Sequence, residues 1–178
     1  LWGRPVAQVI ETFLGNQPHL LQKVITNYEE LLQTDVFMDE ISIVPNSIEL
    51  LNRLSAKYKL AIVSGINPDL LQRVFSKFEV PDIFSSIITM YDLEDPARGK
   101  PYPDMILTTL DRMGVPSEKT ICIGDSAGDV LMAQAAGVQP ITVLTGHLDL
   151  DTATSLGVEY ILDDVTQAES LIKELDIQ

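Results

Sequence analysis

The chain has 178 residues, 46% of them apolar, enough for one sizeable core or for one core with a small appendage. A formal net charge of -14 and a pI near 4.3 set it against polyanions, so nucleic acid and anionic membrane surfaces are excluded as partners, and most of the acid reads as solvated surface. The single cysteine, Cys122, allows no internal disulfide and suits a reducing cytosol, so a cytoplasmic location is expected; no stretch approaches transmembrane length and no signal peptide is visible.

The chain opens at Leu1–Trp2–Gly3 without an initiator Met, and a fragment or processed product is expected. From Pro5 to Asp39 the pattern is helical. Val6, Val9, Ile10 and Phe13 recur at helical spacing, Gly15–Asn16 break the run, and Leu20, Leu21, Val24, Ile25, Tyr28, Leu31 and Leu32 form a second amphipathic stripe. Ile41–Pro45 is the natural hinge, which divides the chain into residues 1–43 and 44–178. Beyond it strands and helices alternate. Asn46 and Ser47 are cap candidates for a helix through Leu54, Leu60–Val63 is a buried strand, and Asn67–Pro68 opens a helix carrying Leu71, Val74, Phe75 and Phe78. Ser86–Met90 is a strand, and Ile106 to Met113 a helix closed by Gly114. Thr120–Ile123 is a strand, Val130–Ala136 a helix ended by Gly137, Pro140–Leu144 and Glu159–Leu162 are strands, and Ala168–Leu175 is a last helix. This alternation implies an α/β fold: a Rossmann-like parallel sheet with helices on both faces.

Three places at strand ends can carry chemistry. Ile121–Asp129, ICIGDSAGD, sets Asp125 and Asp129 beyond an apolar strand, at the carboxyl edge where open α/β sheets bind ligands. Two carboxylates aimed at one spot repel unless a cation lies between them, and Mg²⁺ is the usual choice beside a phosphate. Ser64 and Gly65 follow the LAIV strand; a hydroxyl and exposed N–H groups at a strand-to-helix turn make a phosphate cradle, although an ordinary turn serine has the same surroundings. Lys100, in RGKPYPD, is either a surface lysine in a Pro-rich loop or a cation that neutralises phosphate and a nucleophilic carboxylate.

In order along the chain, a Ser after a strand, a Lys in G-K-P-x-P-D and then G-D-S-x-x-D after a further strand resemble motifs II, III and IV of the haloacid dehalogenase-like (HAD) hydrolase superfamily. The likeness runs from about Val44 to Ile172. The helical segment 1–43 resembles part of the small cap of the phosphoglycolate phosphatase-like branch, and Gly3–Arg4–Pro5 resembles that cap's substrate-facing loop, with Arg4 as a specificity residue. The resemblance implies a Mg²⁺-dependent phosphatase for a small phosphorylated metabolite. An Asp nucleophile would form an aspartyl-phosphate and a second Asp would act as acid and base. Ser64, with Gly65, would grip a phosphate oxygen, Lys100 would balance charge, Asp125 would ligate the metal, and Asp129 would support the metal or its water. Positioning and charge neutralisation supply most of the catalysis of such a transfer.

The chain departs from the family at motif I, D-x-D-x-T after an opening strand, which would carry both the nucleophile and the acid/base. Asp149–Leu150–Asp151 has the letters, but no apolar strand precedes it and it follows motif IV. The absent strand would lie between the Leu60 and Thr120 strands, so those two are expected not to pair. An upstream segment is therefore expected in the parent protein, and these residues alone are expected to be inactive. A phosphosugar mutase on the same fold is the nearest rival. A non-catalytic phosphate-binding protein is a third reading if motif I is truly missing, and a dehalogenase fits less well because it needs no metal. Substrate and oligomeric state are left open.

Overall fold

The computed structural model describes residues 6–15, 17–32 and 34–175. Three helices come first, α1 (Val6–Leu14), α2 (Pro18–Leu32) and α3 (Asp35–Glu40). Gly15, at φ +57°, closes α1 in the left-handed conformation that glycine adopts without steric cost. A break at Thr34 interrupts the helical run expected to reach Asp39, because the Thr34 hydroxyl accepts a hydrogen bond from the Phe37 N–H at 3.2 Å and starts a new helix. The apolar stripe is only partly covered: Leu32 and Met38 are buried, whereas Phe13, Val24, Tyr28, Leu31 and Val36 are exposed.

The remainder alternates α4 (Ser47–Ser55), β1 (Leu60–Ser64), α5 (Pro68–Lys77), β2 (Phe84–Thr89), α6 (Asp104–Met113), β3 (Ile121–Gly124), α7 (Ala127–Ala135), β4 (Gln139–Val143), α8 (Leu150–Ser155), β5 (Tyr160–Leu162) and α9 (Ala168–Glu174). All pairings are parallel: β1 with β2, β3 with β4, and β4 with β5. Helices cover both faces. Leu50 and Leu54 of α4 pack with Ala168 and Ile172 of α9 against Leu60, Ile121 and Ile123, while α6 and α7 pack against Val63, Ile88 and Cys122 from the other side. The period-2 alternation of strand side chains sends neighbours to opposite layers.

Local chemistry sets the element ends. Asn67 accepts from the N–H groups of Asp69 and Leu70, and Pro68 occupies the first turn of α5. Gly114 and Gly137 close α6 and α7 at positive φ. Asn46 precedes α4 as expected but makes no side-chain cap; it adopts φ 63° instead. Asp149–Leu150–Asp151 is a helix start, with the Asp149 carboxylate accepting from Thr152 N–H at 2.7 Å, so its D-x-D letters serve a cap. That short helix, α8, has too few periodic residues to be evident beforehand.

The helical segment is tied to the α/β part through α5. Arg73 donates to the carbonyls of Leu32 at 2.7 Å and Thr34 at 3.3 Å, and Lys77 donates to those of Met38 and Ile41. The Leu32 carbonyl ends α2 and those of Met38 and Ile41 end α3, where helices leave acceptors short of partners and favour cations, whereas the Thr34 carbonyl belongs to the N-cap of α3.

The strands form two separate groups, β1–β2 and β3–β4–β5, so β1 and β3 are not hydrogen-bonded to each other, as expected. Between them lies a largely apolar cleft of about 620 Å³, walled by Leu60, Ile62, Ile121 and Ile123 from the strands and by Leu50 and Leu54 from α4. A second cavity of about 150 Å³ opens on the other layer, with Ala61, Val63 and Cys122 in its wall. Ser47 Oγ, in the wall of the larger cleft, is buried without a hydrogen-bond partner among the described residues.

Candidate active site

Parallel strands put their carboxyl ends at one sheet edge, and the three chemical segments follow such ends. Ser64 is the last residue of β1, half-buried, and its Oγ accepts from the Ile66 N–H at 3.2 Å. Open space lies where a Cβ on Gly65 would project, so the turn leaves room beside the hydroxyl. The capped start of α5 follows immediately.

Lys100 is reached through a tightly held loop. Arg98 pairs bidentately with Asp104 at 2.9 and 2.8 Å, which pins the loop to the start of α6. Gly99 is buried, and a Cβ there would crowd Met90 Cβ at 3.2 Å and the Pro96 carbonyl at 3.3 Å. The lysine then turns inward, its side chain only 13% exposed, and Nζ lies 2.5 Å from Asp129 Oδ1.

Asp129 sits in the first turn of α7 as half of a capping box. Its Oδ2 accepts from Ser126 Oγ at 2.6 Å and Ser126 N–H at 3.2 Å, while Ser126 Oγ accepts from the Asp129 N–H at 3.3 Å. Both carboxylate oxygens are thus engaged within the protein. Asp129, expected to support a metal or its water, also anchors Lys100. Ser126 was not singled out from the sequence, although its S-x-x-D spacing carries the capping-box signal. Cys122, on the strand below, is pushed up to about 12 by burial and then by the Asp129 carboxylate, against the opposing pull of Lys100. The raised pKa makes it a poor nucleophile at neutral pH.

Asp125 lies between β3 and α7 and is half-buried. Its main-chain carbonyl accepts from the N–H groups of His147 and Leu148, each at 3.0 Å. No salt bridge among the described residues engages its carboxylate. Asp92, just beyond the end of β2, is a further acid at this edge: its Oδ2 accepts from Thr89 N–H at 2.7 Å and Thr89 Oγ1 at 2.8 Å, and the backbone bond, then the hydroxyl, hold its carboxyl below the usual range.

The structure joins Lys100 directly to Asp129 and sets Asp125 one residue before the capping box that holds Asp129. Ser64 ends β1 on the far side of the cleft, where the preceding Val63 shares a cavity wall with Asp129. Arg4 lies outside the described residues. No group of three or more His, Cys, Asp or Glu side chains is gathered for a metal among the described residues. The available donor nevertheless fits Mg²⁺. Asp125 offers a hard carboxylate at a strand end, and Mg²⁺ characteristically takes one or two carboxylates and completes its shell with water and phosphate oxygens.

Residues 1–143 match the family described as haloacid dehalogenase-like hydrolase, and the chain belongs to that family. It is 27% identical over 177 residues to a Caldanaerobacter subterraneus protein classed as a pyrophosphatase PpaX, covering 98% of this chain and 77% of that protein. It is 26% identical over 159 residues to the phosphoglycolate phosphatase of Escherichia coli O157:H7, covering 82% of this chain and 60% of the relative. A Bacteroides fragilis structure classed as a haloacid dehalogenase-like hydrolase superposes with a TM-score of 0.81 at 22% identity, over 94% of this chain and 79% of that one, which establishes the shared fold.

Proposed function

We propose that the protein is a Mg²⁺-dependent phosphatase acting on a small phosphorylated metabolite, and that the attacking aspartate is borne by a further strand seated in the cleft between β1 and β3. The observation that carries this reading is the buried Lys100–Asp129 pair, set at the same strand end as Asp125. A structural lysine gains little from being drawn into a site only 13% exposed, whereas a lysine held there meets incoming phosphate with its charge already desolvated.

Each residue then has a task. Asp129 and Ser126 hold the Lys100 ammonium in place, and Lys100 neutralises a phosphate oxygen together with the neighbouring carboxylates. Ser64 donates its hydroxyl to a second phosphate oxygen while the Ser64–Gly65 turn leaves space for it. Asp125 holds the metal, which when bound supplies a Lewis acid for the phosphoryl oxygens. Residues 1–43, with Arg4, belong to a cap over this edge, and Arg73 and Lys77 dock it. The cytoplasm is the proposed location.

Two features favour a strand in the cleft. The strands on either side present apolar side chains to both layers and leave their facing edges unpaired among the described residues, a costly arrangement for a sheet interior. A nucleophile-bearing strand in that position is also what the family resemblance implies. The names of the relatives nominate inorganic pyrophosphate and a phosphorylated two-carbon acid as first substrates to try.

The test is phosphate release by the complete gene product from a panel of phosphate esters and pyrophosphate, with and without Mg²⁺, alongside Asp125→Ala. Mg²⁺-dependent turnover that the substitution nearly abolishes, with partial recovery at high Mg²⁺, is expected. Phosphate binding without turnover would favour the non-catalytic reading, and wild-type rates in the variant at ordinary Mg²⁺ would remove Asp125 from the metal site.

A further inference from the structure

The loop 144–149 after β4 does more than connect β4 to α8. It is fixed at both ends: Leu144 N–H donates to the Leu162 carbonyl at 2.9 Å, and Leu148 is buried with Val130, Ala153 and Val158. Between these anchors, the N–H groups of His147 and Leu148 hold the Asp125 carbonyl. At Gly146 the backbone passes directly against the Asp125 side chain, so that a Cβ on residue 146 would overlap Asp125 Cβ, Cγ and Oδ2 together. The backbone at Gly146 is not left-handed, so conformational freedom does not explain the glycine there. Space does.

We propose that Gly146 is a positioning residue for the Asp125 carboxylate. The loop backbone is the wall against which that side chain rests, and only the lack of a side chain at 146 lets the carboxylate lie where it does. This rests on the reading of Asp125 as the metal-holding residue and extends it to a part of the chain none of the three motifs includes. A side chain at 146 would turn the carboxylate while leaving β3, β4 and α7 in place. Groups that orient a metal ligand without touching the metal typically change affinity by about 10–100-fold when altered.

The experiment measures Mn²⁺ binding to the complete gene product by electron paramagnetic resonance, without substrate, for wild type and Gly146→Ala, with far-UV circular dichroism and thermal unfolding of the metal-free proteins alongside. The expected result is a folded variant whose Mn²⁺ dissociation constant rises at least about ten-fold. A folded variant with wild-type affinity would overturn the inference while leaving the phosphatase reading intact. A wild type that binds no Mn²⁺ would instead overturn the metal reading on which the inference stands. If Gly146→Ala does not fold, the double variant Asp125→Gly/Gly146→Ala decides, because removing the Asp125 side chain relieves the overlap. Recovery of a cooperative thermal transition supports the contact, and failure to recover it overturns the proposal.

Discussion

Lys100 Nζ lies 2.5 Å from Asp129 Oδ1, and the two side chains are 13% and 9% exposed, so a loop before α6 and the first turn of α7 are joined by a nearly water-free ion pair. Removing one member leaves the other charge buried and uncompensated, which costs about 3–5 kcal/mol, whereas removing both is far milder. Lys100→Met and Asp129→Asn should each lower stability of the complete gene product by amounts in that range, and the double variant should lose much less than their sum. Denaturant unfolding of the four proteins measures the coupling directly. Additive losses would mean that the two groups are separately solvated.

Gly124, the last residue of β3, faces the same carboxylate from the other side: a Cβ there would overlap Asp129 Cβ and Cγ. Gly124→Ala should therefore destabilise the protein by about 1–3 kcal/mol, the usual cost of overpacking. Asp129→Gly already strands Lys100 and removes the overlap, so in that background Gly124→Ala should cost much less further stability than it does in the wild type. Denaturant midpoints of the single and double variants check this, and an alanine tolerated at full stability would show that α7 can shift away from β3.

Much of this arrangement was legible beforehand. Apart from α8, the order of strands and helices from Leu60 onwards follows from short apolar runs between capped helix starts, and the strand bounds observed differ by one or two residues from those expected. Asp125 and Lys100 were evident because each follows a recognisable strand end or motif. The contacts were not. That Lys100 meets Asp129, and that Asp129 spends both oxygens on Lys100 and Ser126, depends on how α7 sits against the loop before α6, which has no local signature. The role of Gly146 was equally hidden, because the side chain that excludes a Cβ there belongs to residue 125. The break at Thr34 had a local cause, a single hydroxyl cap, within a pattern that otherwise read as continuous helix.

Cys122 gives a pH signature. Its thiol is raised from 9.0 to about 12, so the native chain keeps its proton where an unfolded chain has lost it. Between those values the unfolded state binds fewer protons, and stability falls as pH rises, by at most about 1.4 kcal/mol per pH unit. The contribution is fully present below pH 9 and lost as pH approaches the folded value. Wild type should lose stability between pH 9 and 11 faster than Cys122→Ala, as measured by urea unfolding at each pH. At pH 8 the native thiol should react with a disulfide reagent far more slowly than in urea. Parallel alkaline profiles for the two proteins would show that the thiol ionises as freely when folded as when unfolded.

The cleft between β1 and β3 yields the last prediction. Leu60, Ile62, Ile121 and Ile123 wall a cavity of about 620 Å³, and no strand pairs with the facing edges of β1 and β3 among the described residues. Parallel neighbours lie about 4.8 Å apart, so one inserted strand would supply hydrogen-bond partners to both edges and apolar side chains to both layers. Residues 1–178 expressed alone should then bind an environment-sensitive apolar dye and unfold at low temperature with poor cooperativity. The complete gene product should bind little dye and unfold at a clearly higher temperature. Amide exchange localises the effect: N–H groups of β1 and β3 should exchange quickly in the short chain and become protected in the complete one, while the β4 and β5 amides change less. Equal protection of β1 and β3 in both proteins, or equal dye binding, would mean that no strand enters the cleft and that the nucleophile must be sought elsewhere.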